Sequence, residues 1–165
     1  MRAFLLVKKY NLKLSDISTV ENVGLASHKA SLGKTKYTEV QEYLQDEANN
    51  NNNLIKGFND RTYHTGKYRT KKIYEPKERD IYILDFQHRV AQHALINKLE
   101  PILTNMFIKD TYACIKDRGI HQASLRTMEF IRDNDYCLKM DIRKFYPSIN
   151  HDILYSMFER KFKDE

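Results

Sequence analysis

Asp141 is the residue whose type and position point most directly to chemistry. It closes the run Tyr136-Cys137-Leu138-Lys139-Met140-Asp141-Ile142, whose alternation predicts a strand. Leu138, Met140 and Ile142 would face one way, and Cys137, Lys139 and Asp141 the other. A turn and a helix follow. A carboxylate at the end of such a strand is a hard oxygen donor of the kind Mg²⁺ takes. A lone Asp there serves equally as a turn-entry or salt-bridged residue. The second chemical feature is cationic. Arg61, Lys67, Arg69, Lys71 and Lys72 fall within residues 61–72 with no acid among them, and Tyr63 and Tyr68 are interleaved. Cations bind phosphates and aromatic rings stack bases, although a solvated basic face has the same composition.

The elements that must position these groups can be read along the chain. Residues 1–10 fit a helix or a strand. Residues 21–32 predict a helix ended by Gly33. A second helix is predicted from Thr38, with Gln41 at capping-box spacing. Asn49 to Asn53 form a low-complexity run of poor helix formers. Leu44, Ala48, Ile55 and Phe58 nevertheless keep helical phase across it, so one helix with a weak, exposed middle is expected; a loop is the alternative. Residues 69–74 and 79–84 predict a β-hairpin turned at Glu75-Pro76-Lys77-Glu78. Phe86, Val90, Ala91, Ala94, Leu95 and Leu99 line one face of a helix over 85–99, which Pro101 should end. Further helices are expected over 121–133 and from His151, the latter entered through Ser148 and Asn150. Its apolar face is Ile153, Leu154, Met157, Phe158 and Phe162.

Bulk composition bounds the class. The chain has 165 residues, 41% of them hydrophobic, enough for a folded core. Its net charge of +6 favours polyanionic partners. Five glycines and three prolines leave no Gly-rich phosphate loop. Cys114 and Cys137 have neither metal-ligand spacing nor a partner framework, which predicts a reduced, cytoplasmic chain. The apolar run from Ala3 to Val7 is too short for a signal sequence or a membrane span, so no membrane partner is expected. No nucleophile triad or zinc site is visible.

The run Lys139-Met140-Asp141-Ile142-Arg143-Lys144-Phe145-Tyr146-Pro147-Ser148-Ile149-Asn150-His151-Asp152-Ile153-Leu154 resembles the first palm motif of reverse transcriptases. Pro76-Lys77-Glu78-Arg79-Asp80-Ile81, with Arg89-Val90 and His93-Ala94-Leu95, is similar to the fingers hairpin and its following helix. Leu99-Glu100-Pro101-Ile102, Phe107, Tyr112 and Gly119 resemble the next block, in the right order. The resemblance covers about residues 65–160. It is tightest to bacterial enzymes of diversity-generating retroelements; retron and group II intron enzymes are more distant.

The resemblance implies an α+β fold: a mostly helical fingers region with a hairpin, plus the first strand and helix of a polymerase palm. It implies an N-terminal helical region over 1–60, fingers over 61–135 and the start of a palm over 136–165. By position, Asp141 would bind both Mg²⁺ ions of the complete enzyme and Ile142 would offer them its carbonyl. The N–H groups of Lys144 and Phe145 would meet the triphosphate, and Tyr146 would be the steric gate against a ribose 2′ hydroxyl. Arg79 would close over the incoming dNTP, and one of Lys71 and Lys72 would reach its γ-phosphate, with Lys71 preferred. Arg61, Lys67, Arg69, Lys72 and Arg89 are the expected contacts to RNA template and DNA primer; Arg89 and His93 could instead brace the hairpin. The Tyr-x-Asp-Asp turn that the family carries downstream does not occur here. The chain is therefore expected to be part of a longer enzyme, inactive alone, with an unpaired palm strand open to a second copy of itself. A non-catalytic nucleic-acid-binding module, or a template-independent polymerase of the abortive-infection type, are the alternatives.

Overall fold

The computed structural model describes residues 9–74 and 76–163. Residues 1–8, whose helix-or-strand reading was open, and Glu75 of the hairpin turn lie outside the described residues. The chain divides into two units, one of Leu12–Pro101 and one of Met1–Asn11 with Ile102–Glu165.

The first unit holds four helices, a hairpin and most of a fifth helix: α1 (Leu14–Ile17), α2 (Val20–Ser31), α3 (Thr38–Gln45), α4 (Glu47–Asn59), β1 (Arg69–Ile73), β2 (Arg79–Ile83) and α5 (Phe86–Met106). Its core draws Val23, Ala26 and Ala30 from α2, Val40 and Tyr43 from α3, Leu54 and Phe58 from α4, and Phe86, Val90, Ala91 and Ala94 from α5. The division between the compact units falls at Pro101, and the α5 face completes the core of the preceding helices.

Polar residues stitch this core. Asn22 is buried, and its amide donates to the carbonyls of Ile17 at 2.8 Å and Ala94 at 2.9 Å. It joins α1, α2 and α5 at one point. The asparagine run is helical, as the phase of its neighbours predicts, but it is not simply exposed. Asn51 is buried and accepts the Tyr43 hydroxyl at 2.8 Å, while Asn50 donates to the Tyr43 carbonyl at 2.9 Å. The expected single helix is in fact two, broken at Asp46 (φ −126°, ψ 45°). Asn50 supplies the Tyr43 carbonyl, at the end of α3, with a donor where the helical ladder stops. α3 does begin at Thr38, but its cap position is Tyr37, with no side-chain cap. Gln41 donates to the Thr35 carbonyl instead of closing a capping box.

Gly33 follows α2 with φ 70°, the left-handed close expected of it. α4 ends the same way without a glycine. Arg61 has φ 56°, its N–H bonds the Phe58 carbonyl, and the Thr62 N–H bonds the Gly57 carbonyl. This is a Schellman closure with an arginine at the left-handed position. Pro101 does not end α5, contrary to expectation; the helix runs through it to Met106. Proline removes one backbone donor there, and the division between the units falls at that residue.

The other unit contains α6 (Ile120–Asp133), α7 (Phe145–Ser148) and α8 (His151–Glu159). Asn150 caps α8, its side-chain oxygen accepting the Ile153 N–H at 3.0 Å. Tyr10 forms an isolated parallel bridge with Phe162, its N–H bonding the Lys161 carbonyl at 2.7 Å. The strand expected over 136–142 is not formed. The segment carries no strand ladder, because the hairpin is the sheet of the described residues and a strand exists only with a hydrogen-bonded neighbour. Leu138 and Met140, expected to face a core, are 80% and 81% exposed.

Candidate nucleic-acid interface

The hairpin orders the predicted cations by register. β1 and β2 are antiparallel with Arg69 opposite Ile83, Lys71 opposite Ile81 and Ile73 opposite Arg79. Directly opposed residues share a face. Arg69, Lys71 and Arg79 therefore lie on one face with Ile73, Ile81 and Ile83. Thr70, Lys72, Asp80 and Tyr82 lie on the other. Lys72 donates to Glu78 at 2.6 Å. Lys71 and Arg79 form no ion pair among the described residues. Of the two candidate lysines, Lys71 is thus the one that shares a face with Arg79.

The segment leading into the hairpin is fastened to α5. The Tyr63 hydroxyl lies 3.0 Å from His88 Nδ1, and its ring meets Phe58 edge-on at 5.1 Å. Burial, the largest influence, pushes the Tyr63 hydroxyl pKa up. Tyr63 is therefore a packing residue, and the ring left outward is the exposed Tyr68, edge-on to Tyr82 at 6.4 Å. Gly66 rests on the His88 ring so closely that an added Cβ would fall 2.3 Å from Nε2. Lys67 is exposed beside it. Arg61 lines a cleft of about 520 Å³ together with Ile17, Phe58, Ala91 and Leu95.

Besides Lys72, two more of the predicted cations are occupied. Arg89 Nη2 donates to Glu39 Oε1 at 3.0 Å, and Arg69 Nη2 to Glu39 Oε2 at 3.2 Å. Arg69 also meets Asp85 at 3.0 Å. A phosphate would have to displace carboxylates to reach either. Glu39 and Asp85 were missed from sequence; only Asp85, two residues after β2, stands beside the hairpin along the chain. His93, one turn beyond Arg89, has a lowered pKa, through burial first and then the charges of Lys34, Lys29 and Arg89.

Residues 139–154 belong to the other unit. Asp141 is exposed and forms no ion pair among the described residues. Lys144 takes the left-handed conformation (φ 51°, ψ 46°) immediately before Phe145 enters α7. A left-handed residue followed by a right-handed one turns successive N–H groups the same way, the geometry of an anion nest. Tyr146 is 82% exposed and edge-on to Phe145 at 5.3 Å, so it is not a core aromatic of this unit. Asp141 and the Ile142 carbonyl are oxygen donors of the class Mg²⁺ takes, fewer than an octahedral ion needs. Among the described residues no group of three His, Cys, Asp or Glu side chains is assembled. Phosphate oxygens, water and other carboxylates would have to complete such a site.

Further along this unit Asp110 accepts from the Tyr112 hydroxyl at 3.0 Å and from Arg126 Nε at 3.1 Å. These two hydrogen bonds, Tyr112 first, hold its carboxyl below the usual range. They tie the Asp110-Thr-Tyr-Ala-Cys turn to α6. Cys114 and Cys137 are free and exposed. No helix of the described residues is long and apolar enough to cross a membrane.

Compared with known proteins, the chain matches no family model. It has no significant similarity to a curated protein.

Proposed function

We propose that this chain is the fingers region and first palm motif of a reverse transcriptase, acting within an RNA-directed DNA polymerase. The run from Lys139 to Leu154 carries the reading, with Asp141 exposed just ahead of the left-handed turn at Lys144. The common face of Lys71 and Arg79 supports it, since two cations on one ribbon suit a triphosphate. RNA template, DNA primer and dNTP are the partners this reading requires.

In this reading each residue has a limited task. Arg79 lays a planar guanidinium against base or phosphate. Lys71 meets a terminal phosphate as a point charge. The N–H groups of Lys144 and Phe145 receive phosphate oxygens, and Tyr146 excludes a 2′ hydroxyl. Asp141 and the Ile142 carbonyl would hold magnesium, which stabilises the attacking and leaving oxygens of an in-line displacement when bound.

The decisive experiment is primer extension on an RNA template by the product of the whole gene, with Mg²⁺ and dNTPs. Extension that Asp141→Asn abolishes, with oligonucleotide affinity retained, is the expected result. A gene that encodes no Tyr-x-Asp-Asp beyond codon 165, together with no extension, sinks the reading and leaves a nucleic-acid-binding module. The 165-residue chain alone should bind an RNA–DNA hybrid with an affinity that falls as salt rises.

A further inference from the structure

The hairpin poses a mechanical problem. Every residue of β1 and β2 is exposed except Ile73 and Ile83, which are partly covered. An isolated two-stranded hairpin is marginal in water. A cationic face on such a ribbon has no fixed direction unless the feet of the strands are tied to the helical body. On the β2 side the tie is Leu84, which is buried. On the β1 side the lead-in rests on His88 at Gly66, and the strand itself has no buried side chain; there is Arg69.

Arg69 is the first residue of β1, and its guanidinium is held from two places. Glu39 of α3 takes it at 3.2 Å and Asp85, ahead of α5, takes it at 3.0 Å. The other oxygen of Glu39 receives Arg89 of α5 at 3.0 Å. The two arginines differ in freedom. The Arg69 side chain is 61% exposed, whereas Arg89 is 23% exposed and its guanidinium carbon lies 5.3 Å from the centre of the buried Phe86 ring. Arg89 therefore orients Glu39, and Glu39 presents its second oxygen to the hairpin.

The geometry points to Glu39 as the positioning residue of the hairpin: it latches the foot of β1 to α5 and so sets the direction of the face bearing Lys71 and Arg79. The register makes this effective. Arg69 lies on the same face as those two residues, so pinning Arg69 fixes the roll of the ribbon about its long axis. Arg69 is thereby engaged in holding the hairpin rather than a phosphate. That the pinned face meets a nucleotide rests on the function proposed above; the latch does not.

The latch is tested on the whole 165-residue chain without nucleic acid, by hydrogen exchange of the β1 and β2 amides. Glu39→Gln should speed that exchange roughly fivefold, Arg69→Gln, which also loses Asp85, at least as much, and the double variant should do no more than Arg69→Gln alone. Glu39→Asp, which keeps the charge, should restore part of the protection, and the α2 and α4 amides should keep their rates. Unchanged hairpin exchange, additive single effects, or equal acceleration in α2 and α4 would each overturn the latch. A second arm measures affinity for dATP. Weakening by Glu39→Gln and by Lys71→Glu joins the latch to nucleotide binding. Hairpin loosening with dATP affinity unchanged leaves the latch standing and overturns its nucleotide role.

Discussion

Residues 12–101 and residues 102–163 are built from similar sequence material and end in different states. The first region buries a side-chain cluster from five helices and seals it with Asn22 and Asn51. In the second, no described residue is buried, although α6 and α8 are as clearly amphipathic by pattern. Leu125, Met128 and Ile131 on α6 and Ile153 and Met157 on α8 remain exposed. The difference is one of partners. An apolar stripe predicts that a face will be covered but does not supply the cover. The first region contains its own second layer, α5 against α2 to α4.

The comparison predicts unequal costs for similar substitutions. Phe86 is 2% exposed and meets Tyr43 edge-on at 5.0 Å. Phe86→Ala should cost about 3–5 kcal/mol, whereas Leu138→Ala should stay within about 0.5 kcal/mol, both read by urea unfolding. Comparable losses would mean that the second region has a core of its own in solution. Asn22→Ala comes next, at about 2 kcal/mol, because the Ile17 and Ala94 carbonyls lose a buried donor. Gly66→Ala should cost about 1–3 kcal/mol, since backbone or His88 must move to admit the methyl. The same variant should loosen the Tyr63–His88 contact, visible in the His88 ring resonances.

Smaller effects sharpen the picture within the first region. Arg61→Gly should stabilise by about 0.5–1 kcal/mol, because a left-handed residue with a Cβ is strained where glycine is not. If Arg61 contributes to nucleic-acid binding, the same variant should bind an oligonucleotide less tightly while unfolding later. His93 gives the mildest signal. Its folded pKa lies below the ordinary value of about 6.5, so the unfolded chain takes up the proton first as pH falls. The stability it contributes is full above that value and is lost on acidification toward the folded pKa. His93→Gln should therefore narrow the stability difference between about pH 7.5 and about pH 5.5 in chemical denaturation.

Much of the fold was legible because local rules carried it. The hairpin, the glycine close of α2, the α6 start after Gly119 and the Asn150 cap of α8 all follow from turn and cap chemistry acting over a few residues. Three of the misreadings concern whether an element forms or continues. Pro101 sits inside α5, Asp46 breaks a helix that phase alone would continue, and residues 136–142 have the alternation of a strand without a neighbour. Of the candidate site, the types and order of Asp141, Lys144 and Tyr146 came from the sequence, as did the basic run at 61–72.

Only the tertiary structure decided which of those cations are engaged. Sequence spacing cannot show that Glu39, 30 residues before Arg69 and 50 before Arg89, bonds both. Nor can it show that Tyr63 packs on Phe58 and His88 while Tyr68 stays exposed. The sequence by itself determined the chemical types available and the short elements that carry them, because those depend on neighbours along the chain. Which charges are paired, and where the core lies, depends on groups brought together across the fold, and only the folded chain sets those distances.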